Sequence, residues 1–256
     1  MPEVTSYEPG TFCWVELATT DPKKAKSFYS SLFAWEVKDI PMGDQGTYHM
    51  FQKKGKDVGA MYQQTAEEKG VPPHWNNYVS VANADASAGK AKSLGGKVVA
   101  GPFDVMDAGR MAFISDPQGA MFAIWQKIKS IGATVVNEPG AFCWNELMTS
   151  DIEAARKFYS GLFGWKYKVS PEYTEIEAGG RSTAGMMPIR PEMKGMPSNW
   201  IPYFAVDDTD GTAKKVESGG GQVGVPPTDI PNAGGRFAVL ADPQGARFAI
   251  IKLSQG

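Results

Sequence analysis

The sequence predicts an α+β protein: tandem paired βαβββ units whose mixed sheets curve into cups. Three observations carry this. FCWVEL at 12–17 returns as FCWNEL at 142–147. TTDPKKAKSFYSSLFAWEVK at 19–38 returns as TSDIEAARKFYSGLFGWKYK at 149–168, an offset of 130. Within each copy, the patterning of strand, helix and three strands occurs twice.

The repeat spans the chain. HWNNYVSV (74–81) faces NWIPYFAV (199–206), GGKV (95–98) faces GGQV (220–223), and GRMAFISDPQGAMFAIWQK (109–127) faces GRFAVLADPQGARFAIIK (235–252). The offset drifts only between 125 and 130, which predicts two whole domains, 1–130 and 131–256, connected near residues 128–140.

In the first strand, TFCWVEL, alternation sets Cys13, Val15 and Leu17 on one face and Trp14, Glu16 and Ala18 on the other. A helix follows, with Asp21 as cap and Pro22 at its first position. Ala25, Phe28, Tyr29, Leu32 and Phe33 fall on one buried stripe. Asp151, Ala155, Phe158, Tyr159, Leu162 and Phe163 repeat the pattern. Strands are expected near Glu36–Ile40, Thr47–Lys53 and Val58–Gln63, separated by turns at PMGDQG and KKGKD. The second unit runs NNYVSVA, a helix near Ala84–Leu94 that Gly89 weakens, KVVAGPFDV, GRMAFIS and AMFAIWQ. DPQG joins the last two strands in both copies, with proline and glycine at the second and fourth positions of a tight turn. One helix covers only one face of its sheet, so the other face is open to ligand, water or a partner.

At 256 residues and 42% hydrophobic, the chain can bury substantial cores. Its net charge of −2 and lack of long basic runs argue against nucleic acid or anionic membrane as partners. No leader-like segment and no long apolar run is visible, which predicts a cytoplasmic protein, monomer or homodimer. Cys13 and Cys143 read as buried small hydrophobes. There is no GxGxxG fingerprint with its acid, no phosphate-binding GxxxxGK[ST], no GxSxG and no HExxH.

The segments TTDPKKAKSFYSSLFAW, TSDIEAARKFYSGLFGW, SLGGKV, SGGGQV, SDPQGAMFAIW and ADPQGARFAII, recurring in this order, resemble the vicinal oxygen chelate superfamily of glyoxalases, bleomycin-resistance proteins and extradiol dioxygenases. By that resemblance, metal-dependent relatives hold ligands at positions matching Trp14, Asn76 and Ala123 in one copy and Trp144, Ile201 and Ala249 in the other. Tryptophan, isoleucine and alanine cannot ligate a metal, so no metal or other cofactor is expected. Glu16, His49 and His74 would have to supply any alternative site; the counterparts of the two histidines are about Glu175 and Asn199.

Glu16 and Glu146 therefore become the candidate catalytic groups, looking into the cups beside Trp14 and Trp144. A carboxyl there could bind a ligand amine, take a proton from a carbon acid, or pair with arginine; Arg110 and Arg236 are the expected partners. Trp75, Tyr78, Trp200 and Tyr203, with Met61, Met186 and Met187, are expected to line the cups and to suit a planar or amphipathic molecule. Asp104 and Asp229 read as strand-end acceptors of backbone hydrogen bonds. The leading expectation is a small-molecule binder without the metal usual in these relatives. The alternatives are a glyoxalase-like lyase, isomerase or dioxygenase, with noncanonical metal ligands or a lone glutamate base, and an interaction protein whose cups are filled by side chains.

Overall fold

The computed structural model describes residues 3–43, 46–193, 195–231 and 234–252, except the side chain of residue 192. The turn expected over PMGDQG includes residues 44 and 45, which lie outside the described residues. The first half comprises β1 (Phe12–Thr19), α1 (Pro22–Phe33), β2 (Glu36–Pro41), β3 (Thr47–Lys53), β4 (Lys56–Gln63), β5 (His74–Ser80), α2 (Ala84–Ser93), β6 (Lys97–Val105), β7 (Gly109–Ser115) and β8 (Met121–Lys127). The second half comprises β9 (Phe142–Thr149), α3 (Ile152–Phe163), β10 (Lys166–Val169), β11 (Thr174–Ala178), β12 (Arg181–Pro188), β13 (Asn199–Ala205), α4 (Thr209–Ser218), β14 (Gln222–Asp229), β15 (Arg236–Ala241) and β16 (Arg247–Lys252).

Each half forms one eight-stranded sheet, in the orders β2-β3-β4-β1-β5-β8-β7-β6 and β10-β11-β12-β9-β13-β16-β15-β14. The two units of a half therefore pair with each other through their antiparallel first strands, while β4 and β8 return parallel to β1 and β5. The fold is the tandem α+β arrangement that the repeat predicts.

Local chemistry explains the helices. Asp21 Oδ1 accepts the Lys24 backbone N–H at 3.0 Å and Asp151 Oδ1 that of Ala154 at 2.9 Å, satisfying donors that a helix start leaves open. Gly89 does not break α2: the Asn83 cap at 2.8 Å and burial of Ala84, Ala88 and Ala91 hold it. Gly119 N donates to Asp116 O at 3.0 Å and Gly245 N to Asp242 O at 2.9 Å, closing both DPQG turns.

Residues of both halves share one interior. Phe33 packs against Phe204 at 5.2 Å and Phe12 against Trp200 at 5.1 Å between ring centroids. The polar groups that reach across are matched by the repeat. Trp75 Nε1 donates to Tyr29 Oη at 3.1 Å, and Tyr29 donates to Asp242 Oδ2 at 3.0 Å. Trp200 Nε1 donates to Tyr159 Oη at 2.8 Å, and Tyr159 donates to Asp116 Oδ2 at 3.0 Å. Trp35 Nε1 reaches Gly140 O and Trp165 Nε1 reaches Gly10 O, at 2.6 and 2.7 Å. DPQG is thus more than a turn: its aspartate ties one half to the helix of the other.

Candidate functional site

In β1, alternation places Cys13, Val15 and Leu17 in the interior, all fully buried, and turns Trp14 and Glu16 to the helix-free cup face. Register then fixes their neighbours. Tyr78 lies opposite Trp14, Asn76 opposite Glu16, and Ala60 beside Glu16. The Tyr48 hydroxyl donates to Glu16 Oε1 at 2.6 Å and the Tyr78 hydroxyl to Oε2 at 2.7 Å, while Trp14 Nε1 stands 3.4 Å from the Tyr48 oxygen.

The second cup repeats the cluster. Tyr203 donates to Glu146 Oε1 at 2.8 Å, Tyr173 to Oε2 at 3.1 Å, and Trp144 Nε1 to the Tyr173 oxygen at 3.0 Å. Gly185, beside Glu146, is the counterpart of Ala60; a Cβ there would overlap the Tyr173 phenol. Glu16 and Glu146 are only 7% and 8% exposed, and burial is the dominant influence, raising both above the ordinary carboxyl range against the lowering effect of the phenols. The same burial, with the nearby acid, pushes Tyr48, Tyr78, Tyr173 and Tyr203 upward, so the phenols stay protonated and donate.

Several expected neighbours stand elsewhere, for one reason: a strand changes face with every residue. Trp75 pairs with Leu17 and Trp200 with Leu147, so both indoles point into the interior and not into the cups. Met61 and Met186 share that side, opposite Leu17 and Leu147. Arg110 and Arg236 do not pair with the glutamates. Arg110 is one residue out of phase with the cup-facing Met111, and it binds Asp85 through Nε and Nη2 at 2.7 and 3.0 Å and Asp104 through Nη1 at 2.8 Å. Arg236 binds Asp210 and Asp229 the same way. Asp104 and Asp229 thus accept from arginine in braces that tie the starts of α2 and α4 to sheet edges.

The metal positions implied by the resemblance can be tested on these side chains. Trp14, Asn76 and Ala123 do face one cup, and Trp144, Ile201 and Ala249 the other, but they offer no ligand set. His49, opposite Met61, bonds Asp39 at 2.7 Å on the far face, and His74 Nδ1 lies 2.9 Å from Pro72 O. Among the described residues no group of three or more His, Cys, Asp or Glu converges as a metal site would require. The family's usual metal does not fit here. Cys13 and Cys143 are free, and burial raises both thiols, Cys143 to about 12, which leaves them inert as nucleophiles.

Tyr48 and Tyr173 complete the clusters and were missed in the sequence. The signal was present: they stand 125 apart, the offset that also relates GGKV to GGQV. A concavity of about 310 Å³ between α1 and α4, lined by Lys24, Phe28, Lys215 and Gly219 among others, lies away from both cups.

Comparison with known proteins agrees with this architecture. The family described as Glyoxalase/Bleomycin resistance protein/Dioxygenase superfamily matches residues 11–124 and 146–250. The chain is 44% identical to "Putative glyoxylase CFP32" of Mycobacterium tuberculosis, covering 98% of each chain. It is 33% identical to "Anthracycline biosynthesis protein DnrV" of Streptomyces peucetius, covering 99% of this chain and 97% of that one. Among solved structures, the Mn(II)-bound glyoxalase of Novosphingobium aromaticivorans superposes with a TM-score of 0.67 at 14% identity, covering 95% of this chain and 82% of that one, a likeness of fold. The repeated βαβββ units, the two sheets and these matches together place the chain in the glyoxalase/bleomycin resistance protein/dioxygenase superfamily.

Proposed function

We propose that this protein binds a small planar organic molecule on the cup face, against the first-strand tryptophan and beside the buried glutamate, without the superfamily's usual metal. One observation carries the reading: a buried carboxyl, bridged by two phenols and flanked by an indole, is built twice beside the positions where the resemblance places the ligands of metal-bearing relatives. Aromatic walls with a few fixed polar groups suit planar ligands. The name of the Streptomyces peucetius relative, an anthracycline biosynthesis protein, points to planar polyaromatic chemistry. The free thiols fit a reducing compartment, and we place the protein in the cytoplasm. Among the described residues no helix is long and apolar enough to cross a membrane.

A catalytic reading rests on the raised affinity of Glu16 and Glu146 for a proton. A desolvated carboxyl is a better base near neutral pH and could take a proton from a bound carbon acid.

Equilibrium dialysis against neutral, acidic and amine-bearing anthraquinones tests the binding reading. Glu16→Gln combined with Glu146→Gln should lower the affinity of whichever probe binds by about tenfold, roughly 1.4 kcal/mol. Unchanged affinity in the double variant would remove the carboxyl from ligand recognition. Metal analysis of protein purified without chelator should give far less than one equivalent. Near-stoichiometric zinc, nickel, manganese or iron would overturn the metal-free reading.

A further inference from the structure

We propose that the ligand site is the first cup alone, and that it takes a planar molecule carrying both a basic amine and a carbonyl acceptor. This rests on the reading that ligand binds on the cup face, and it adds which cup and which chemistry.

The two cups share the glutamate and its phenols but differ around them. Ala18 in the first cup is matched by Met148 in the second, Tyr62 by Met187, Asn76 by Ile201, and Glu68 by Met193. In the second cup Met148 and Ile201 are each 6% exposed and join Tyr203, Ala249 and Ile251 in an apolar cluster of their own. Met187, Met193 and Met196 pack against it. Flexible methionines pack closely on apolar neighbours, so the surroundings of Glu146 are apolar where those of Glu16 are not.

At Asn76, Tyr62 and Glu68 the first cup is polar where the second is apolar, although Glu175, opposite Gly185, adds an acid on the second cup's face. Asn76 is 5% exposed and directly opposite Glu16, and its Nδ2 makes no hydrogen bond of good geometry, reaching only weakly toward the Tyr62 oxygen. A buried amide donor so poorly paired is unusual, and a ligand acceptor would satisfy it. The Tyr62 hydroxyl donates to Glu68 Oε1 at 2.8 Å, and Glu68, on the short turn over Ala66–Glu68, is close enough to raise the proton affinity of Glu16. The first cup therefore has two carboxyl groups. The groups that act on Glu16 are Tyr48, Tyr78 and Glu68, with no lysine or arginine among them, because Arg110 is spent on Asp85 and Asp104.

The Glu16 cluster thus has no lysine or arginine acting on it, although His74 and Lys38 share its sheet face farther out, and it has an under-used donor in Asn76. An ammonium group would balance Glu16 and Glu68 and could rest on the faces of Trp14 and the tyrosines, which attract cations. A carbonyl on the same planar frame would accept from Asn76 Nδ2.

The test uses the full chain with an aminoalkyl anthraquinone and its N-acetylated form, which keeps the shape and loses the charge. Isothermal titration should give one site per chain for the amine and at least tenfold weaker binding for the acetylated form. Asn76→Ile and Tyr62→Met, each copying the residue that the second half already accommodates, should each weaken the amine at least tenfold with circular dichroism unchanged. Two equivalent sites per chain, equal affinity for the acetylated form, or full affinity in Asn76→Ile would overturn this inference while leaving binding on the cup face intact. If none of the neutral, acidic or amine-bearing anthraquinones binds, both readings fall.

Discussion

Asp242→Ala should destabilise the protein by about 3–5 kcal/mol, and Asp116→Ala by a similar amount. Asp242 is 2% exposed. Its Oδ1 accepts the backbone N–H groups of Gln244 and Ala246 at 2.9 Å each, and its Oδ2 accepts the Tyr29 hydroxyl from the other half. Removing the carboxyl leaves three donors without a partner, two of them buried, and Trp75, which donates to Tyr29, loses its fixed acceptor. Asp116 holds Gln118, Ala120 and Tyr159 in the same way. Tyr29→Phe removes a single donor and should cost less, about 1.5–3 kcal/mol. Urea unfolding measures the difference, and the aspartate variants should melt roughly 10 °C lower. The exposed brace is the internal control: Asp85→Ala removes a pair that water screens and should change little. If Asp242→Ala and Asp85→Ala proved equally mild, the buried relay would not hold the halves together.

These relays mark the boundary of what the sequence could say. The βαβββ order and the helix stripe were legible because a period of 3.6 or 2 registers burial directly, and the duplication doubled the signal at Phe28 and Phe158 or Leu17 and Leu147. The position of Glu16 between Cys13, Val15 and Leu17 followed from the same alternation. Trp75 went to the wrong face because a strand buried on both sides, HWNNYVS, shows no alternation to read. Its neighbour Asn76, one residue along, is the group that faces Glu16. Charge and a matching place just after a turn pair Arg110 with Glu16 in the sequence, whereas parity places it on the side of Asp85. Asp116 read as a turn residue because its second oxygen binds a tyrosine 43 positions away, a contact with no local signature. Pairing of the two units within a half also had no sequence signal, since each unit offers the same edges.

The buried carboxyls set the sign of the pH dependence. Glu16, Glu146, Asp116 and Asp242 all hold protons more tightly in the fold than in the unfolded chain, burial being the leading cause in each. Between the unfolded value of about 4 and the raised folded value, the native state binds more protons, so stability falls as pH rises through that window and is flat above it. Each pH unit of the window costs about 1.4 kcal/mol per group. Exposed carboxylates such as Asp39, Asp85 and Asp210 are lowered by His49, Arg110 and Arg236 and act in the opposite direction, with stability lost as pH falls through their folded values; their exposure weakens that contribution. Urea unfolding from pH 4.5 to 8 should therefore show declining stability. Glu16→Gln with Glu146→Gln should reduce the slope, because an amide carries no charge to desolvate and can still bond both phenols. Equal slopes in the parent and the double variant would mean that the two glutamates titrate alike folded and unfolded. A cup in which Glu16 were already neutralised by a nearby cation would give that result, so the same titration also tests whether a ligand amine has a charge left to meet.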